Sequence, residues 1–387
     1  MTKALFKVCL FFLTFFFLLA EPAFPQSQSL EIAVIKQKLQ AKLDSIQKMS
    51  GIPGAVFSCI LEGGQKISIA SGLSQLEKPK KMPKNAHLLA GSIGKTFFAA
   101  LSLMLVEEGK LDLDAPIKQY LGKEPWFDQL PNAHTISVKM LLNHSSGIQE
   151  YYELGDFMQK LKENPDRVWK AEDLIAYVWG LKPLFEAGKD WSYADTNYLI
   201  LGIILEKITG KSVYEEVKQR IIAPLRLKNT FPSVSRELDG LVCGYSMPNS
   251  PFGFSGAMIV QGQLVLNPQF EWTGGGYVSS VDDLSFWIKS LMEEKVLNQS
   301  MLALMKDGLP AKTGKNHAYG LGLQIRPYSG GTSYGHGGWF PGYLSEMAYF
   351  PEYKIAAAFQ INTDDFGKLK QSPYFYLLEL VECLKKG

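Results

Sequence analysis

The sequence is short of cysteine and histidine, nearly neutral, and without a long hydrophobic run in its body. Four of its 387 residues are cysteine. Cys9 falls in an apolar N-terminal stretch, which leaves Cys59, Cys243 and Cys383, widely spaced and odd in number. At most one bridge can form within the chain, so a disulfide framework is not expected, and small buried hydrophobes is the simpler role. The five histidines include no H-E-x-x-H and no close pair, so neither a metal site nor a cofactor is expected. Forty Lys and Arg stand against 38 Asp and Glu. No basic run marks a nucleic-acid partner, and no acidic tail marks disorder. Internal repeats and low-complexity segments are missing too, which argues against a solenoid or a fibrous chain.

What is present begins at the N-terminus. Lys3 and Lys7 precede the apolar stretch 8–20, broken only by Thr14. A positive segment followed by a short apolar one is the pattern of a secretory signal, here with cleavage after Ala20 or Ala23. The stretch is too short to span a bilayer comfortably, and no other run is long enough. Residues 1–25 are therefore expected to be a signal peptide and 28–387 the working part, periplasmic or secreted. Membrane contact follows only if the leader is retained.

Helical spacing at 30–49 (Ile32, Ile35, Leu39, Leu43, Ile46) ends at Gly51 and Pro53. A hairpin follows, with strands at 55–61 and 66–70 joined at Glu62-Gly63-Gly64. Residues 97–106 are apolar on nearly every side, the mark of a buried helix. Helices are expected at 111–120, 138–143, 171–181, 196–208 and 213–222. Strands return at 263–266, 319–325, 344–350 and 355–361, with helices at 282–294 and 368–384. This predicts an α/β protein: a sheet domain drawn from about 28–90 and 240–387, around an all-α domain at about 91–239.

Three places can carry chemistry. In Gly91-Ser92-Ile93-Gly94-Lys95-Thr96, the Ser92 hydroxyl and Lys95 amine lie about 60° apart around a helix and ~4.5 Å along it, within reach of each other. Helix-terminal N–H groups favour a developing anion, and burial favours a neutral Lys95 as base. Ser45 and Lys48 show the same spacing on the amphipathic first helix, where a solvated face explains them. Gly94-Lys95-Thr96 also ends like a phosphate-binding loop, but Leu89 stands where that loop needs its first glycine. The second place is Trp191-Ser192-Tyr193-Ala194-Asp195, on a turn before a helix. There Tyr193 can pass a proton and Asp195 can bond Lys95 or substrate. The third is Gly335-His336-Gly337-Gly338-Trp339-Phe340-Pro341-Gly342. Its glycines let an edge-strand backbone approach a ligand, the Trp339 N–H can pair with that of Ser92 as an oxyanion hole, and His336 can bind or polarise substrate. Taken singly, each also reads as ordinary structure: a helix cap and a packed ring at Asp195 and Tyr193, a hairpin with an exposed histidine at 335–342. Lys312-Thr313-Gly314 reads as a surface turn, Ser280 with Asp283 as a capping box, and Asp364-Asp365 as a cap for the last helix.

Taken in order, these motifs resemble those of the serine β-lactamase and penicillin-binding protein superfamily, which carries S-x-x-K, then S-D-N or Y-x-N, then K-T-G or H-x-G. The likeness is to the branch holding class C β-lactamases, D-alanyl-D-alanine carboxypeptidases and related esterases. It extends through Ile52-Pro53-Gly54-Ala55, Glu107 to Asp114, Leu141-Leu142-Asn143-His144-Ser145-Ser146-Gly147-Ile148, Pro224-Leu225 with Asn229-Thr230, and Gly274-Gly275-Gly276 with Asp283-Leu284. The resemblance implies a mostly antiparallel sheet flanked by N- and C-terminal helices, with an all-α insertion. It implies an exported serine hydrolase acting through an acyl-serine on acyl-D-Ala, a β-lactam or an ester; a binding protein of the same fold is the alternative. Ser92, Lys95 and Tyr193 take the catalytic places, and Asp195, His336, Gly337, Gly338 and Trp339 the substrate-binding ones. Two positions depart from the pattern. Asp195 replaces the usual asparagine and cannot donate a hydrogen bond when ionised, and His336 replaces lysine and weakens a fixed positive charge.

Overall fold

The computed structural model describes residues 26–384, so the expected signal peptide lies outside the described residues. The periodicity around 30–49 is realised as α1 (Gln26–Ser50), stopped at Gly51, whose φ of +59° suits glycine. β1 (Gly54–Ile60) and β2 (Lys66–Gln75) form the expected hairpin, Gly54 opposite Gly72 and Ile60 opposite Lys66. With β3 (Lys80–Lys81), β4 (Leu309–Pro310), β5 (Ala318–Tyr319), β6 (Gln324–Tyr328), β7 (Gly331–Phe340), β8 (Tyr343–Phe350) and β9 (Ile355–Ile361) they build one antiparallel sheet. Its order is β4-β5-β6-β7-β8-β9-β1-β2-β3. The two ends of the chain meet where β9 pairs with β1, Ile361 opposite Ala55.

Side chains alternate across a strand, and here both faces are covered. Ala55, Phe57 and Cys59 point into a layer shared with Leu39, Leu43 and Ile46 of α1 and with Leu377 and Leu380 of α5 (Pro373–Glu382). Val56 points the other way, into the larger core around α2 (Lys95–Glu107), α3 (Asp195–Thr209) and α4 (Val281–Met292). Phe97 of α2 stacks on Trp287 of α4 at 4.3 Å. α2 is buried from Lys95 through Leu103, as its all-round apolar character requires. Cys59 and Cys243 are buried and Cys383 half-buried; all three are free.

Several expectations fail for local reasons. Residues 111–120 form no long helix. Asp112 accepts the Asp114 N–H at 2.9 Å in a side-chain turn, Pro116 follows, and only Lys118–Leu121 is helical. The strand expected at 319–325 is two strands, β5 and β6, because Gly322 takes φ +69° and the Gly320 N–H closes on the Leu323 carbonyl at 2.8 Å. The last helix begins at Pro373 behind Ser372, so Asp364 and Asp365 do not cap it. Ser280 does cap α4, accepting the Asp283 N–H at 3.3 Å. The Asp283 carboxylate, however, reaches out to Asn229 N and Thr230 Oγ1 rather than back to residue 280.

Between Leu88–Leu89 and α2 runs a single 3₁₀ turn, Gly91–Gly94. It lies so close to the 274–276 loop that a Cβ at Gly94 would stand 1.7 Å from the Gly275 carbonyl oxygen. Gly94→Ala should therefore cost about 3 kcal/mol or more, seen as a fall in Tm of roughly 6 °C or more in thermal denaturation.

Candidate active site

Lys95 opens α2 one turn after Ser92, and its Nζ stands 3.2 Å from Ser92 Oγ. The same Nζ donates to Asp195 Oδ1 at 2.5 Å and to the Gly274 carbonyl. Three acceptors match the three donors of an ammonium group, and the side chain has no exposure to solvent. Lys95 is thus a buried ion-pair partner of Asp195, the contact expected from the sequence. Asp195 is the first residue of α3, and Ala194 occupies the cap position, so the Asp195 carboxylate serves Lys95 and not the helix. Its own N–H donates to Glu150 Oε2 at 2.6 Å.

Tyr193 is held by rings. His144 lies 4.2 Å from it between centroids, with Tyr319 and His336 beyond, and the Lys95 ammonium sits 4.9 Å from its face. His144 takes a left-handed φ of +64° and accepts the Ala194 N–H at 3.2 Å, which ties this turn to the loop at 143–148. Burial, and then the Asp195 charge, push the Tyr193 phenol well above its ordinary pKa; the neighbouring Ser92 hydroxyl opposes them. Tyr193 is thus a neutral phenol in the resting site.

The third stretch lies in β7. Its first half pairs with β6 as far as Gly335 opposite Gln324, while its second half, 336–340, pairs only with β8. That half is an edge, and it faces the Ser92 turn. The two-residue turn Pro341-Gly342 makes Phe340 and Tyr343 the closing pair, so alternation directs the N–H and C=O of Trp339 away from β8. A Cβ on Gly91, where φ is +53°, would meet both Trp339 N and O at 2.7 Å. One on Gly338 would lie 1.9 Å from the Ala90 carbonyl and 3.3 Å from Ser92 N. Glycine at 91 and 338 therefore lets the Trp339 backbone lie close against the Ser92 turn. Gly337 donates to Gln324 Oε1 at 3.0 Å.

His336 departs from the expectation of a polarising or exposed group. It is buried, Nδ1 meets the Gly337 carbonyl at 2.6 Å and Nε2 the Tyr319 hydroxyl at 2.8 Å. Burial, with the Lys95 charge, lowers its pKa to about 3. It stays neutral and both ring nitrogens are occupied. Lys312 is exposed and ion-paired to Asp190 at 2.6 Å, as a surface turn requires, but Thr313 beside it reaches the rim of the site. Ser45 and Lys48 are exposed on α1. Ser92, Tyr193, Asp195, His336, Gly337, Gly338 and Trp339 line one cavity of ≈ 340 Å³, with Lys95 behind its wall.

The family model described as Beta-lactamase matches residues 37–381. The chain belongs to that family. It is similar to the D-aminopeptidase of Brucella anthropi, 24% identical over 312 residues, or 80% of this chain and 56% of that one. The chain thus spans little more than half the length of that curated relative. Among solved structures it is similar to a D-stereospecific amidohydrolase from a Streptomyces species, 27% identical with TM-score 0.74, covering 86% of this chain and 97% of the other. A D-amino acid amidase from Ochrobactrum anthropi SV3, solved with L-phenylalanine amide, is 25% identical with TM-score 0.75, over 91% and 96% of the two chains. This β-lactamase-family protein has the antiparallel-sheet fold of those neighbours.

Within this family member, two acidic residues that sequence reasoning passed over surround the Lys95–Asp195 pair. Burial and the Asp195 charge push Glu150 well above the carboxylate range and Glu271 up to about 8. Glu271 lines the cavity, accepts the Gly276 N–H at 3.4 Å, and has no cationic partner among the described residues. The available signal was context: Glu150 precedes two tyrosines, and Glu271 sits between Phe270 and Trp272. An acid among aromatics is a candidate for burial.

Two outcomes follow from the geometry. Ser92→Ala should abolish covalent labelling by a fluorophosphonate probe and lower kcat by about 10⁴ or more, measured on intact-mass and steady-state assays. Glu271 keeps its proton in the folded protein while the unfolded chain loses it above about 4.5, so its contribution to stability erodes as pH rises towards about 8. Glu271→Gln should match wild type near pH 4.5 and exceed its Tm by roughly 5 °C at pH 9.

Proposed function

We propose that this protein is an exported amidohydrolase acting on D-amino acid amides or on the N-terminal D-residue of short peptides. The observation that carries the reading is the charge of the cavity wall. Asp195, Glu271 and Glu346 line it, and no lysine or arginine does. Asp195 is matched by Lys95 and Glu346 by Arg326 at 2.6 Å, which leaves Glu271. A substrate carboxylate finds no fixed cation here, whereas a substrate ammonium finds a carboxyl ready to ionise against it. β-Lactams and peptides ending in D-Ala carry that carboxylate; an amino acid amide carries the ammonium. The names of the structural neighbours agree with this choice.

The chemistry follows from the resting protonation states. Lys95 donates to both Ser92 and Asp195, so it passes one proton to Asp195 as it takes the Ser92 proton, and Ser92 Oγ bonds to the carbonyl carbon. The N–H groups of Ser92 and Trp339 receive the oxyanion. Tyr193 gives its proton to the departing nitrogen as the C–N bond breaks. Water then attacks the acyl-serine and returns a proton to Tyr193, whose high pKa makes its phenolate a strong acceptor. The proton held by the Lys95–Asp195 pair returns to Ser92. His336, neutral and fully bonded, forms cavity wall and holds Tyr319. Residues 1–25 direct export, which fractionation of expressing cells into periplasm and cytoplasm tests.

The substrate reading is tested with D-phenylalaninamide, its N-acetyl derivative and the L-enantiomer. Removing the ammonium should cut kcat/KM about a hundredfold, the worth of a charge-assisted contact, and the D-form should be preferred. Equal hydrolysis of the free and acetylated amides would refute the ammonium subsite.

A further inference from the structure

We propose that Asp364 is a positioning residue that sets side-chain selectivity, by holding an aromatic wall for a substrate residue bearing an aromatic or large apolar side chain. The proposal rests on the amide reading above for its substrate class. Asp364 has no solvent exposure and no ion-pair partner among the described residues. Its carboxylate accepts from three neutral donors. Oδ2 takes the Trp339 indole N–H at 2.9 Å and the Ser246 hydroxyl at 3.4 Å, and Oδ1 takes the Met247 N–H at 2.8 Å. A buried carboxylate is costly unless its acceptors are filled, so this one is held only while all three segments are in place.

Those segments are the walls of the cavity. Trp339 supplies the indole and, from its backbone, the N–H beside Ser92. Phe252, in the loop that begins at Tyr245-Ser246-Met247, packs edge-on to Trp339 at 5.4 Å. Phe366, two residues beyond Asp364, also meets Trp339, at 6.4 Å between centroids, and is half exposed. All three rings line the cavity. One carboxylate therefore fixes the indole rotamer, anchors the Phe252 loop and sits at the root of the Phe366 turn. Without it the indole loses its only hydrogen bond and the three rings lose their common reference. The wall softens while the Ser92–Lys95–Asp195 contacts, on α2 and α3, are untouched.

The test compares wild type with Asp364→Asn and Asp364→Ala on two matched pairs: D-phenylalaninamide against D-alaninamide, and the nitrophenyl esters of phenylacetate and acetate. Active sites are titrated with the fluorophosphonate probe, so rates refer to folded enzyme. Wild type should prefer the aromatic member of each pair by about tenfold to a hundredfold, the worth of burying one ring. Asp364→Ala should lose about tenfold or more of that ratio, mainly through KM. Asp364→Asn keeps one acceptor for the indole and should fall between. Should Asp364→Ala not fold, Trp339→Phe removes the indole donor instead and should lower the same ratio. Parallel falls on both members of a pair, or an unchanged ratio, overturn the proposal. The ester pair reports on Asp364 even if wild type hydrolyses neither amide, an outcome that would count against the amide reading alone.

Discussion

A lysine ammonium with no exposure to solvent is the constraint to which this structure answers. Taken alone it would be prohibitively costly to bury, and it would shed its charge or the fold would open. Three groups from three separate parts of the chain prevent that: Ser92 from the turn before α2, Asp195 from the start of α3, and the Gly274 carbonyl from the loop before α4. Because the acceptors come from segments about a hundred and about eighty residues apart, satisfying Lys95 also fixes how the helical region docks on the sheet. Gly94 and Gly275, with no room for a Cβ between them, allow that docking to be close enough.

The same constraint organises the charges around it. Asp195 neutralises Lys95, and its negative end then raises the cost of ionising Glu150, Glu271 and Tyr193, all of which are already disfavoured by burial. The ammonium in turn helps to hold His144 and His336 neutral. One ion pair is thus surrounded by groups that keep their neutral forms. A neutral shell of this kind leaves the Lys95–Asp195 ion pair without a competing charge among these groups.

Much of this was legible from residue order. The S-x-x-K spacing, the Tyr193–Asp195 turn and the glycine-rich 335–342 stretch were identifiable because each is local: spacing along one element decides it. The two ends of the chain joining in one sheet were also legible, from strand patterns on either side of a helical stretch. What was not legible depends on contacts across the fold. For Lys95 the contacts with Ser92 and Asp195 were foreseen, but its third acceptor, the Gly274 carbonyl, lies 179 residues away in sequence and was not. His336 read as accessible because Tyr319, which closes off its Nε2, lies on a neighbouring strand. Asp364 read as a helix cap because nothing in Asp364-Asp365 reveals that Trp339 lies beside it. Glu150 and Glu271 carry no motif at all; only their burial beside Asp195 gives them meaning.

The two departures from the family pattern act together once the neighbours are known. A carboxylate at 195 in place of an amide adds one negative unit beside Lys95. A neutral histidine at 336 in place of lysine removes one positive unit from the opposite wall. Both changes move the cavity the same way, two units towards negative, and Glu271 supplies a further carboxyl that burial and the Asp195 charge push up to about 8. Either change alone would leave a site of mixed preference. Together they leave the cavity wall without a lysine or arginine, with carboxyl groups in one part and the rings of Phe252, Trp339 and Phe366 in another. On the proposed reading, electrostatics decides which class of molecule enters, the aromatic wall decides which member of that class stays, and Ser92 with its ion pair supplies the chemistry.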